Sequence, residues 1–143
     1  MSPGVRALSV YQAELRIKSE RRVQVIDVTD QVREKVRESG VEKGIAHVYS
    51  RHTTAAVVVN EPESGLLRDI VNKLEELVPQ GAGYEHDRID NNADAHLRAL
   101  LLGSSVTIPV SDGDLVLGTW QSVLFVELDG PRSRRLLVTV VGE

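Results

Sequence analysis

From Ser104 onward the chain reads as one β-forming run after another. Val106, Ile108 and Val110 come first, then Leu115 and Leu117, then Val123 to Leu128, then Leu136 to Val141. Asp112-Gly113 and Asp129-Gly130-Pro131 supply turn chemistry between these runs. The last run, Leu136-Leu137-Val138-Thr139-Val140-Val141, is apolar on both faces of a strand. A small protein rarely hides both faces of a sheet by itself, so this run predicts a homo-oligomer.

Upstream, β-formers alternate with polar residues from Val5 to Lys18 and from Arg22 to Val28. Ser19-Glu20-Arg21 reads as the turn of a hairpin between two antiparallel strands. Thr29 suits the cap of a short helix with Val32 and Val36 on one face, and Gly40 suits its left-handed end. Two β-rich runs, Ile45 to Ser50 and Ala55 to Val59, flank the polar segment Arg51-His52-Thr53-Thr54. Pro62-Glu63-Ser64 opens a second helix. Leu66, Leu67, Ile70, Val71, Leu74, Leu77 and Val78 repeat at helical spacing until Pro79 stops them. After the loop Gln80-Gly81-Ala82-Gly83, Asn92 suits the cap of a third helix, with Ala93, Leu97, Leu100 and Leu101 as its inner stripe and Gly103 at its end. Strands surround the helices rather than alternating with them. The expected fold is therefore α+β, with mixed, mainly antiparallel sheets and two to three helices in a single domain over residues 1–143.

A chain of 143 residues, 41% hydrophobic and 27% charged, has the size and balance of one folded globular domain. A formal charge of -4 argues against nucleic-acid binding through a general basic surface. With no cysteine, thiolate nucleophiles, disulfides and Cys-based zinc sites are excluded. No stretch approaches the roughly 18 apolar residues of a membrane span, and Met1 to Tyr11 lacks the pattern of a signal peptide. The expected location is the cytoplasm. Phosphate-binding Gly-Lys-Ser/Thr loops, His-Glu-x-x-His helices and Gly-x-Ser-x-Gly elbows are all missing.

The four histidines, His47, His52, His86 and His96, lie on different segments and converge only if folding brings them together. Taken singly, each reads as well as an ordinary hydrogen-bonded imidazole. As a set they lie beside Asn60-Glu61, Asp87 and Asp90-Asn91-Asn92-Ala93-Asp94, and imidazole with carboxylate is the ligand chemistry of zinc, manganese or iron when cysteine is missing. Asp90 and Asn92 fit helix capping equally well, and Asp94 with Arg98 four residues on fits a surface ion pair. Arg132, Arg134 and Arg135 form the one tight basic cluster, suited to phosphate or carboxylate and equally to a solvated turn. Trp120, the only tryptophan, stands beside Gln121 in an apolar region as core or pocket lining.

His52-Thr53-Thr54-Ala55, Asn60-Glu61, Tyr84-x-His86-Asp87, Asn92-Ala93-Asp94-Ala95-His96, Gly118-Thr119-Trp120-Gln121 and Asp129-Gly130-Pro131-Arg132 together resemble, nearly end to end, the YjbQ-like family, whose members are described as secondary thiamine-phosphate synthases. The resemblance implies a homotrimer with a pocket between subunits. It also implies an activity that joins a pyrimidine-methyl diphosphate to a thiazole phosphate. It carries over His52, His86 and His96 as motif histidines; His47 lies outside the motifs and reads as a strand residue. On this reading His52, His86 and His96 hold a divalent metal, zinc or magnesium. Arg132 assists the departing diphosphate, Glu61, Asp87 and Asp94 orient or accept protons, and Thr53, Trp120 and Gln121 position a small phosphorylated substrate. A metal-dependent hydrolase and a non-enzymatic trimer that binds a small anion use the same residues.

Overall fold

The computed structural model describes residues 7–143; Val5 and Arg6, the expected start of the first strand, lie outside the described residues. The elements run β1 (Ser9–Lys18), β2 (Gln24–Asp27), α1 (Thr29–Ser39), β3 (Gly44–Ser50), β4 (Ala55–Asn60), α2 (Ser64–Leu77), a 3₁₀ turn (Glu85–Arg88), α3 (Ala93–Leu102), β5 (Ser105–Ser111), β6 (Asp114–Leu115), β7 (Ser122–Glu127) and β8 (Ser133–Gly142). They form a five-stranded sheet in the order β1-β8-β3-β5-β6 and a three-stranded sheet in the order β2-β7-β4, with antiparallel pairings throughout. This is the expected α+β fold.

The smaller sheet is the middle layer. Val123 and Phe125 of β7 join Leu15, Val48, Leu136 and Val138 of the larger sheet and Val32 and Val36 of α1 in one core. Val126 and Leu128 join Ala56, Leu74 of α2 and Ala95 of α3 in a second. A strand covered on both sides loses the polar–apolar alternation, which is why Val123 to Val126 is apolar throughout. The run in β8 behaves differently: Leu136, Val138 and Val140 are buried, while Leu137, Thr139 and Val141 are only half covered.

Several local expectations change. β1 and β2 do not form a hairpin, because β1 pairs with β8 and β2 with β7 in the other sheet. Ser19 is not an exposed turn residue but continues the inward alternation of Leu15 and Ile17 and is buried. Asp27, not Thr29, caps α1. Its Oδ1 accepts from the Thr29 N–H at 2.9 Å and hydroxyl at 2.6 Å, while the Thr29 oxygen accepts from the Val123 N–H and ties the helix to β7. Glu63 caps α2 by accepting from the Gly65 and Leu66 N–H groups. The largest reversal is α3. Its leucine face points outward, with Leu100 79% and Leu101 66% exposed, whereas Asp94 and Arg98 are buried. Asp94 is held there by the Arg22 guanidinium through two hydrogen bonds of 2.9 and 3.1 Å, and by Arg98 at 3.3 Å. Trp120 lies in a turn ahead of β7 and is 72% exposed.

Candidate functional site

The polar segment between β3 and β4 ends as a turn, and it faces α3 across an open cleft of about 470 Å³. Arg51, His52, Thr53, His96, Leu100 and Ser104 are among the residues that line it. His52, Thr53 and His96 are thus brought together. The His86 ring from the 3₁₀ turn meets His96 edge to face with ring centres 4.7 Å apart. His47 stays on β3, its Nδ1 2.9 Å from the Thr107 hydroxyl, apart from the other three.

Behind the cleft lies a buried ion pair. Glu127 is the last residue of β7, and Arg134 reaches it from β8 with Nε at 2.9 Å from Oε1. The Arg134 Nη2 also donates to Glu127 Oε2 and to the Thr54 carbonyl and hydroxyl, at 3.2 and 2.9 Å in the latter two. The Ser19 hydroxyl donates to Oε1 at 2.7 Å, and the Leu128 and Asp129 N–H groups donate to Oε2 at 3.0 and 3.1 Å. Every lone pair is engaged, as a buried carboxylate requires. Burial works to raise the Glu127 carboxyl, but the hydrogen bonds from Arg134, Ser19 and Asp129 outweigh it and hold the group below its ordinary value. The basic cluster is therefore split. Arg134 is buried in this pair, Arg135 is exposed beside Glu14 at 3.4 Å, and Arg132 donates to the Asp129 carbonyl and carboxylate at 2.9 and 3.1 Å. Strand alternation sends neighbouring arginines to opposite faces.

His52 feels both its burial and the Arg134 cation. Burial first, and the Arg134 cation second, push its imidazole below the ordinary value. The Arg135 N–H donates to His52 Nε2 at 3.0 Å, which requires a lone pair on that nitrogen. Neutral His52 therefore carries its proton on Nδ1.

Asn92 does not cap α3 with its side chain; Asp87 Oδ1 does, accepting from the Ala93 N–H at 2.9 Å. Asn92 instead bridges two groups. Its Nδ2 donates to Asp129 Oδ2 at 2.9 Å, and its Oδ1 lies 3.1 Å from His86 Nε2. Asp94, expected as a catalytic carboxylate, has a side chain only 1% accessible and is enclosed by Arg22 and Arg98. Burial works to raise its carboxyl, but the Arg22 hydrogen bonds and the charges of both arginines hold it below the ordinary value. Its job is to anchor α3, and Asp87 shapes the start of the same helix.

The remaining residues lie elsewhere. Glu61 follows Asn60, whose Oδ1 accepts from the Glu61 N–H at 2.8 Å; Gln121 Oε1 accepts from the Gly118 N–H at 2.8 Å and closes the turn that carries Trp120. Ala55 pairs with Glu127 at one end of β4 and Asn60 with Ser122 at the other. Five residue steps of a strand separate the ends by roughly 17 Å. Glu61, Trp120 and Gln121 therefore lie far from His52 and His96 within one chain.

Within one chain, His52, His86 and His96 do not fit the role of metal ligands expected from the resemblance. Both His52 nitrogens are committed, Nε2 as an acceptor and Nδ1 as the proton carrier in the neutral ring. Among the described residues no three His, Asp or Glu side chains gather closely enough to hold one ion. Also among them, no helix is long and apolar enough to cross a membrane.

Reasoning from sequence missed Arg22, Ser19, Glu127 and Asp129 as the residues that organise the site. A usable signal was present for Glu127, a lone acid in the otherwise apolar run from Val123 to Leu128. None was available for Arg22, whose partner is 72 residues away.

The same fold recurs in known proteins. A family model described as UPF0047 protein YjbQ-like matches residues 13–143. A UPF0047 protein of Methanothermobacter thermautotrophicus is 53% identical over 136 residues, 95% of each chain. The UPF0047 protein YugU of Bacillus subtilis is 34% identical, over 90% of this chain and 97% of its own. A crystal structure from Sulfolobus solfataricus P2 superposes with a TM-score of 0.94 at 42% identity, covering 96% of this chain and 100% of the other. A structure from Aeropyrum pernix K1 superposes with a TM-score of 0.91 at 47% identity, covering 93% and 99%. This chain belongs to the YjbQ-like, UPF0047 family.

Proposed function

We propose that the chain takes a small phosphorylated molecule into the His52–His96 cleft. There it acts in the cytoplasm as a transferase of the thiamine-phosphate synthase type, joining a pyrimidine-methyl diphosphate to a thiazole phosphate. The observation that carries this reading is the make-up of the cleft. A cation (Arg51), hydroxyls (Thr53, Ser104) and two imidazoles line one wall system, and a third imidazole stands behind His96.

In the reaction, the thiazole nitrogen uses its lone pair to form a C–N bond to the methylene carbon. The C–O bond breaks and its electron pair leaves with diphosphate, so atoms and charge balance without a proton transfer. The barrier lies in the charge that grows on the leaving oxygens. Arg51 and the N–H donor of His96 are suited to receive that charge, Thr53 to position the phosphate, and Arg132 to hold the Asp129 loop. Glu61, Trp120 and Gln121 enter such a site only from another copy of the chain, because their own cleft is roughly 17 Å away along β4. A homotrimer would do this, and it would also cover the outward leucines of α3, of which Leu100 lines the cleft.

The test is product analysis by mass spectrometry with both substrates, on wild-type protein and His96→Ala, alongside elemental analysis of the same samples. Thiamine phosphate and diphosphate formed by the wild type, at a rate at least about tenfold lower in the variant, is the expected result. Free pyrimidine alcohol would make the chain a hydrolase, and tight binding without turnover would make it a binding protein. A stoichiometric metal that disappears in His86→Ala would replace this metal-free scheme.

A further inference from the structure

The bridge from Asp129 to His86 has one consistent hydrogen-bond direction. A carboxylate only accepts, so the Asn92 group 2.9 Å from Asp129 Oδ2 is its NH₂. The Asn92 oxygen then faces His86 Nε2 at 3.1 Å and also only accepts, so Nε2 donates. Neutral His86 thus has its proton on Nε2 and its lone pair on Nδ1, the opposite tautomer to His52.

Asp129 is itself held from three sides. Its N–H donates to the buried Glu127 at 3.1 Å, Arg132 donates to its Oδ2 at 3.1 Å, and Arg22 lies 3.9 Å from its Oδ1. A side chain at Gly130, the next residue, would meet the Arg21 carbonyl at 2.5 Å and the Ser19 oxygen at 2.6 Å, so the backbone has little room to shift.

We propose that Asp129 is a positioning residue: acting through the Asn92 amide, it fixes His86 as the Nε2–H tautomer and leaves its Nδ1 lone pair as the one acceptor of the ring that packs against His96. That the fixed ring holds His96 in place for turnover rests on the transferase reading above; the tautomer itself does not. The substituent that enforces it is the carboxylate charge on residue 129, since an amide there leaves the Asn92 group free to face either way.

Long-range ¹H–¹⁵N correlation spectra of the full-length labelled protein, without substrate and at a pH where His86 is neutral, read the tautomer directly. The wild type is expected to show a protonated Nε2 and an unprotonated Nδ1. Asp129→Asn is expected to give a mixture of tautomers. The exchange variant Asp129→Asn with Asn92→Asp is expected to restore the wild-type pattern, because the new amide donates to the new carboxylate, which still accepts from Nε2. Turnover should follow the same order, falling roughly tenfold or more in the single variant with little change in KM and recovering in the exchange variant. A wild-type His86 protonated on Nδ1, or an Asp129→Asn protein that keeps the pure Nε2–H form, overturns the proposal. A tautomer that follows the prediction while turnover does not would leave the positioning role standing and remove the transferase role of His86.

Discussion

The two ends of the β4–β7 pair are built on opposite principles. At the Ala55–Glu127 end, Glu127, Arg134, Ser19 and Thr54 form a closed buried network, and Asp129, Asn92 and His86 extend it to the cleft. At the Asn60–Ser122 end the turn from Gly118 to Gln121 is closed by one hydrogen bond, and Trp120 projects into solvent. Both ends carry polar or aromatic residues singled out in the sequence, yet only one is preorganised by its own chain. A preorganised polar site needs satisfied partners behind it, whereas an open apolar one needs a surface placed against it.

The contrast breaks most visibly at Glu127. Glu127→Ala leaves the Arg134 cation buried without its partner and should lower stability by about 3–5 kcal/mol in urea unfolding. The double variant Glu127→Met with Arg134→Met should recover most of that loss, and failure to recover would mean that the pair itself specifies the fold. Gly130→Ala, in the same end, should cost about 1–3 kcal/mol by crowding the Arg21 carbonyl, read in the same assay.

The pH dependence of stability separates the buried groups from one another. Glu127 and Asp94 have carboxyls below their ordinary values of 4.5 and 3.8, so the folded chain binds fewer protons than the unfolded one. Their contribution is full above those values and is lost as pH falls through the folded values. His52 is held below its ordinary 6.5, so the unfolded chain protonates first and stability declines as pH drops below 6.5. Urea unfolding at stepped pH should show both stages, and His52→Gln should flatten the upper one while leaving the lower in place. The smallest effect belongs to the open end. Trp120→Ala should change the stability of the isolated chain by no more than about 0.5 kcal/mol, with any larger effect appearing as weaker self-association in light scattering.

The fold class was legible because hydrophobic period is written locally. The helix ended by Pro79 and the β-forming runs after Gly103 appear where that period puts them. The pairing was not legible. Leu15, Ile17 and Ser19 alternate as a strand should, but whether β1 meets β2 or β8 depends on residues more than a hundred positions away. α3 misled for a related reason. Its leucine spacing favours an inward apolar stripe, while the two-point grip of Arg22 on Asp94 turned the polar face to the core. Of the site residues, His52, Thr53 and His96 line one cleft, while Asp87 and Asp94 organise α3.

The amino-acid sequence by itself determined which elements exist, that no cysteine chemistry is available, and which histidines, carboxylates and arginines the chain can use. The tertiary structure alone decided which way each of those groups faces and which nitrogen keeps the proton in His52 and His86. Residue type sets the donors and acceptors, but a tautomer or a buried charge is selected by partners that only long-range packing supplies.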